Sequence, residues 1–158
     1  MEELLRQLSS LQLKRVERSS KSMTINRVLF VCVENAGRSQ MAEAFAKRHG
    51  ANAISAGTRP SDEINPTVVS VMREKGVDLS TAKPKILTTQ MIEEAELVVT
   101  MGCSAEDLCP APLLAGMRKK LLEWNLDDPK DQPIKKVREI RDEIERKVED
   151  LLSQSKLG

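Results

Sequence analysis

The run Val28–Ser39, VLFVCVENAGRS, places Cys32 five residues ahead of an Arg38–Ser39 pair. An apolar, strand-like stretch leads up to Cys32, and a helix-like stretch follows Ser39. A thiol between a strand end and a helix N-terminus sits among unpaired backbone N–H groups. Such groups bind an oxyanion and stabilise a thiolate. Arg38 adds a planar fork of donors for the same anion. The chemistry implied is nucleophilic attack by sulfur inside an anion-binding loop. Val33, Glu34, Asn35, Ala36, Gly37 and Arg38 are the candidate oxyanion-binding residues, with Cys32 as nucleophile. Gly37 relieves steric demand in the loop. Asn35 can hold the loop in a left-handed conformation or by side-chain bonds, and Ser39 can donate to the thiolate. Glu34 is out of keeping: a carboxylate there repels an anion unless it points outward. It is expected to face solvent.

A nucleophile acting on an oxyanion needs an acid to protonate the departing oxygen. Asp127–Asp128–Pro129 lies in a loop before the last predicted helix, and Asp128, stiffened by Pro129, is the candidate acid. On composition alone the same triplet also fits an ordinary turn. Cys103 and Cys109 flank the run SAEDL. They are too far apart for a C-x-x-C motif, but can close a modest loop disulfide. With Cys32 they suggest successive thiol–disulfide exchange; structural or incidental cysteines are the alternative. The chain has one histidine, His49, at the end of a predicted helix. It reads as a cap or surface residue, so a zinc site is not expected.

The elements that must position these residues alternate along the chain. Strands are predicted at Arg27–Val33, Ala53–Ala56, Leu97–Met101 and Lys119–Trp124. Helices are predicted at Gly37–His49, Pro66–Lys75, Thr88–Glu94 and Pro133–Leu152. In the last helix, Val137, Ile140, Ile144, Val148 and Leu151 recur at three and four residues. This alternation predicts an α/β three-layer sandwich around a central four-stranded parallel sheet. Ligand is then expected beyond the carboxyl ends of the strands, an edge that Cys32 and Met101–Cys103 can share. Residues 1–22 read as an extension, either loose or a short amphipathic helix, ahead of one domain at 23–158.

Bulk properties narrow the classes. The chain has 158 residues and a formal net charge of +1, which gives no global attraction to nucleic acid or an anionic membrane. No apolar run is long enough to span a bilayer. Acidic Glu2 and Glu3 argue against a secretory signal, and an odd cysteine count argues against a secreted disulfide framework. A cytoplasmic protein is expected. There are two phenylalanines, one tryptophan and no tyrosine, which removes the usual platforms for a nucleobase or a substrate phenyl ring.

The segment VCVENAGRSQMAEAF resembles the phosphate-binding loop and first helix of low-molecular-weight protein tyrosine phosphatases. It is closer still to their arsenate reductase relatives. SAGTRP at 55–60, NPTVV at 65–69, VVTMGC at 98–103, DLCP at 107–110, WNLDDP at 124–129 and VREIRDEI at 137–144 extend the likeness. The resemblance implies that Cys32 is the nucleophile, Arg38 the oxyanion-binding arginine, Ser39 the thiolate's assistant and Asp128 the general acid. It also implies that Cys109 is a relay cysteine, with Cys103 as the other relay thiol. The relay pair of the thioredoxin-coupled branch is one residue wider, so alignment back from Cys109 falls on Gly102. Some members hold a monovalent cation behind the loop. Asn35, Glu43 and Ser55 match that site, but Lys85 stands where its aspartate is expected, and an ammonium there can replace the metal charge. The implied activity is reduction of arsenate by a Cys32 adduct and a thiol relay that needs mobility in residues 101–113. It would use no bound cofactor and be regenerated by thioredoxin or a similar thiol reductant. The alternatives are a phosphatase acting on a phosphomonoester and a non-catalytic oxyanion sensor.

Overall fold

The computed structural model describes residues 27–102 and 120–157. The expected extension at 1–22, together with Cys103 and Cys109, lies outside the described residues. Within them the order is β1 (Arg27–Cys32), α1 (Arg38–Arg48), β2 (Asn52–Gly57), α2 (Pro66–Arg73), α3 (Thr89–Glu94), β3 (Leu97–Met101), β4 (Leu121–Trp124) and α4 (Ile134–Leu157). The four strands form one parallel sheet in the order β2-β1-β3-β4.

A central parallel strand is buried on both faces and therefore reads as an unbroken apolar run. In β1, Val28, Phe30 and Cys32 face the larger core, with Met41 and Phe45 of α1 and Ile144 of α4. Leu29 and Val31 face the smaller core, where Ile92 of α3 covers the sheet. Helices thus flank the sheet on both sides, as the three-layer expectation requires. Local signals start two of them. Asn65 caps α2 by accepting from Thr67 N–H, with Pro66 at the first helical position. Thr88 caps α3 by accepting from Met91 N–H.

The strand order places a topological switch between β1 and β3, because the chain leaves β1 toward β2 on one side and β3 pairs on the other. Ligand sites of open parallel sheets form beyond the carboxyl ends of the strands at such a switch. Cys32 ends β1 and Met101 ends β3, so the fold delivers the candidate nucleophile to that edge. No helix among the described residues is long and apolar enough to cross a membrane.

Candidate active site

The loop from Cys32 to Arg38 forms the floor of a cavity of about 730 Å³. One wall runs through Ser61–Thr67 after β2, and the opposite wall through Asp128–Gln132 before α4. The loop owes its shape to where its carbonyls go. Those of Cys32, Val33, Glu34 and Ala36 accept from the N–H groups of Thr58, Arg59, Ser61 and Asn65. Every peptide bond here is trans. In a trans peptide the N–H points opposite to its carbonyl. The N–H groups that follow these carbonyls therefore point away from the 58–65 segment, toward the concave side. Helix α1 begins at Arg38 with no side-chain cap and no acidic residue in its first turn, which leaves its N-terminal donors available to an anion.

Cys32 is buried, and its Sγ lies 2.9 Å from Ser39 Oγ. Asn35 Nδ2 donates to that same Ser39 oxygen at 2.8 Å, so one lone pair is filled and the hydroxyl proton is free to point at sulfur. Asn35 realises both roles foreseen for it: its φ is 52°, in the left-handed region, and its side chain is fully bonded. The amide donates to Ser39 and Ser55 and accepts from Gln40 Nε2 and Lys85 N–H, which uses all its capacity. The Asn35 side chain is therefore behind the loop, whereas Cys32, Val33, Glu34, Ala36, Gly37 and Arg38 line the cavity.

The Arg38 side chain is 7% exposed. Its Nη1 donates to the Leu126 carbonyl at 3.2 Å, and its Nη2 lies 3.6 Å from Asp128 Oδ2. A guanidinium has five N–H donors, so several remain for an anion over the loop. Gly102, immediately after β3, makes room for it: a Cβ on Gly102 would lie 1.7 Å from Arg38 Nη1. The sequence offered Gly102 as a gap in the cysteine spacing. The structure gives it a different task, as the floor on which the arginine rests.

Asp128 reaches the cavity, and Asp127 does not. Asp127 pairs with Lys136 Nζ of α4 at 2.8 Å, and that hydrogen bond holds its carboxyl below the usual range. Asp128 Oδ1 accepts from Lys130 N–H at 3.0 Å, which fixes the carboxylate at the mouth. Pro129 packs on the oxyanion loop so closely that a Cβ on Gly37 would lie 2.9 Å from Pro129 Cγ. Gly37 thus lets the acid-bearing wall approach the loop.

Glu34 does not simply face solvent, as the sequence predicts: it lines the cavity, and its half-exposed side chain is bonded to both walls. Ser61 Oγ donates to one oxygen at 2.8 Å and Lys130 Nζ to the other at 3.1 Å. Those two bonds, Ser61 first, keep its carboxyl below the ordinary value. Neither Ser61 nor Lys130 stands out in the sequence as part of the site. Their only signals were position: four residues after the end of β2, and two after the candidate acid.

Behind the loop, Glu43 accepts from Ser55 Oγ and lies 3.6 Å from Lys85 Nζ. The ammonium of Lys85 thus already stands beside the carboxylate that a monovalent cation would use. The residue set does not fit such an ion. His49 closes α1 through its backbone N–H and faces Glu149 of α4 at 3.5 Å, a surface position as expected.

Residues 27–157 match the profile of the low molecular weight phosphotyrosine protein phosphatases. The chain belongs to that family. A relative from Halobacterium salinarum, provisionally named an arsenate reductase, is 41% identical over 133 residues, 79% of this chain and 89% of its own length. An arsenate reductase of Staphylococcus aureus strain Newman is 34% identical over 135 residues, 84% of this chain and all of its own. Among solved structures, the arginine phosphatase YwlE of Geobacillus stearothermophilus superposes with a TM-score of 0.74 at 26% identity, covering 82% of this chain and 92% of that one. A thioredoxin-dependent arsenate reductase of Corynebacterium glutamicum superposes with a TM-score of 0.66 at 35% identity, covering 93% of this chain and 70% of that one. Proteins similar to this chain thus carry the names of both reductases and phosphatases.

Proposed function

We infer that the protein reduces arsenate to arsenite, with Cys32 as nucleophile and Cys103 and Cys109 as relay thiols. The observation that carries this is the convergence of Cys32, Arg38 and Asp128 on one cavity in a chain with no aromatic side chain to spare for a substrate ring. Phe30, Phe45 and Trp124 are its only aromatics, and all three are buried in the core. Arsenate sits over the loop, held by backbone N–H groups and Arg38. Cys32 thiolate attacks arsenic to form an S–As bond, and Asp128 gives a proton to the departing oxygen, which leaves as water. A second thiolate, from Cys103 or Cys109, attacks Cys32 Sγ. The S–As electron pair passes to arsenic, which falls from the +5 to the +3 state and leaves as arsenite. The remaining cysteine attacks the resulting disulfide, frees Cys32 and leaves a Cys103–Cys109 disulfide for thioredoxin or a similar dithiol to reduce. The relatives' names support this substrate and reductant. Cys103 directly follows Gly102, on which Arg38 rests, so the relay segment departs from the edge of the site.

Hydrolysis of a phosphorylated substrate is the second reading, favoured by the superposition on YwlE. Phosphate and arsenate share shape and charge, so the loop alone admits both. The cysteines separate the two activities. Replacing Cys103 and Cys109 together with serine is expected to abolish multiple-turnover arsenate reduction while sparing any hydrolysis of a small phosphomonoester. Undiminished reduction in that variant would overturn the relay.

A further inference from the structure

Glu34 has no part in the reaction above, yet it stands two residues from the nucleophile within an anion-binding loop. A carboxylate there opposes the ligand's charge. Its surroundings answer that opposition. Ser61 on one wall and Lys130 on the other both donate to it, and the Ser61 N–H also donates to the Glu34 carbonyl at 3.0 Å. Lys130 belongs to the segment that carries the acid, and its own N–H holds Asp128 Oδ1. The acid-bearing wall therefore meets the oxyanion loop at three points: Pro129 on Gly37, Asp128 beside Arg38, and Lys130 on Glu34.

We propose that Glu34 and Lys130 form a clasp across the mouth of the cavity, with two effects on the reaction at Cys32. Lys130 offsets the Glu34 carboxylate, the acidic side chain of the loop, which favours a small, multiply charged oxyanion. The clasp also holds the Asp128 segment over the nucleophile, which makes both members positioning residues. The clasp rests on reading 32–38 as the oxyanion loop and Asp128 as the acid. The pair is half-exposed, Lys130 60% and Glu34 39% at the side chain. Exposed pairs add little to global stability, so the consequence is local, in the field at the cavity and in the placement of the acid.

The two effects separate by sign. Lys130→Met leaves Glu34 uncompensated, and Glu34→Gln leaves an unpaired ammonium at the mouth. Titration calorimetry of the reduced full chain with inorganic phosphate at low ionic strength reads the charge effect. Lys130→Met is expected to weaken phosphate by about threefold or more, Glu34→Gln to keep or tighten it, and the double variant to return close to wild type. Turnover reads the placement effect: kcat for arsenate reduction should fall in all three variants, and the double variant should be no worse than the worse single. Weaker phosphate binding in both single variants, or no change in either, would overturn the charge effect. Unchanged kcat in Glu34→Gln would overturn the placement effect. A wild-type protein that makes no arsenite would defeat the proposed substrate, while the phosphate series would still decide the charge effect.

Discussion

At the scale of single residues the site is a set of commitments made in advance of the ligand. Carbonyls of the oxyanion loop are engaged elsewhere, Asn35 is fully bonded, and Arg38 is buried with donors left over. Such preorganisation is what lets fixed dipoles stabilise charge without reorganising during reaction. Gly102 is the most exposed to test, because it combines a φ of 103° with contact against Arg38. Gly102→Ala is expected to displace the guanidinium and weaken inorganic phosphate or arsenate on the order of tenfold, about one charge-assisted hydrogen bond. Calorimetric affinity equal to wild type would show that the arginine does not depend on that glycine.

At the scale of elements, much was legible and the remainder has a physical reason. Strand β1 and helix α4 follow from apolar runs and three–four periodicity, and the starts of α2 and α3 follow from Asn65–Pro66 and Thr88. The floor of the site was equally plain, because Cys32 through Ser39 are neighbours in sequence. What escaped the sequence are contacts across long separations. Arg38 reaches the Leu126 carbonyl 88 residues away, and Lys130 reaches Glu34 across 96. No periodicity encodes such pairs; the sheet order brings them together. One more long-range clasp, at the C-terminal end of α2, gives an element-scale prediction. Glu74 accepts from Arg138 and Arg141 of α4, and these bonds depress its pKa from an ordinary 4.5 to about 2. A depressed acid stabilises the fold above its unfolded value and loses that contribution as pH falls through its folded value. The stability gap between wild type and Glu74→Gln, read from urea denaturation, should therefore be full near neutrality and shrink between about pH 4.5 and 2. A gap that did not change over that window would contradict the clasp.

At the scale of the whole molecule, the family name and this chain diverge in an informative way. The family is named for phosphotyrosine, yet the walls of this cavity carry Asp62, Glu63, Lys130 and Asp131, and every aromatic side chain is spent on the core. Phe30 and Trp124 pack on each other in the larger core, with ring centroids 5.9 Å apart, and neither lines the cavity. Any phosphatase activity should accordingly show no preference for an aryl over an alkyl phosphomonoester of equal charge; a KM at least tenfold lower for phenyl than for methyl phosphate would contradict this, since no aromatic side chain lines the cavity among the described residues. The reaction proposed is arsenate reduction at Cys32. Arsenite production from arsenate, measured with excess thioredoxin, thioredoxin reductase and reduced nicotinamide cofactor, tests it most directly, beside a Cys32→Ser control. Sustained turnover in the wild type and none in the control is the predicted result. Arsenite formed at the same rate without Cys32, or no arsenite from the wild type with any thiol reductant, would contradict it.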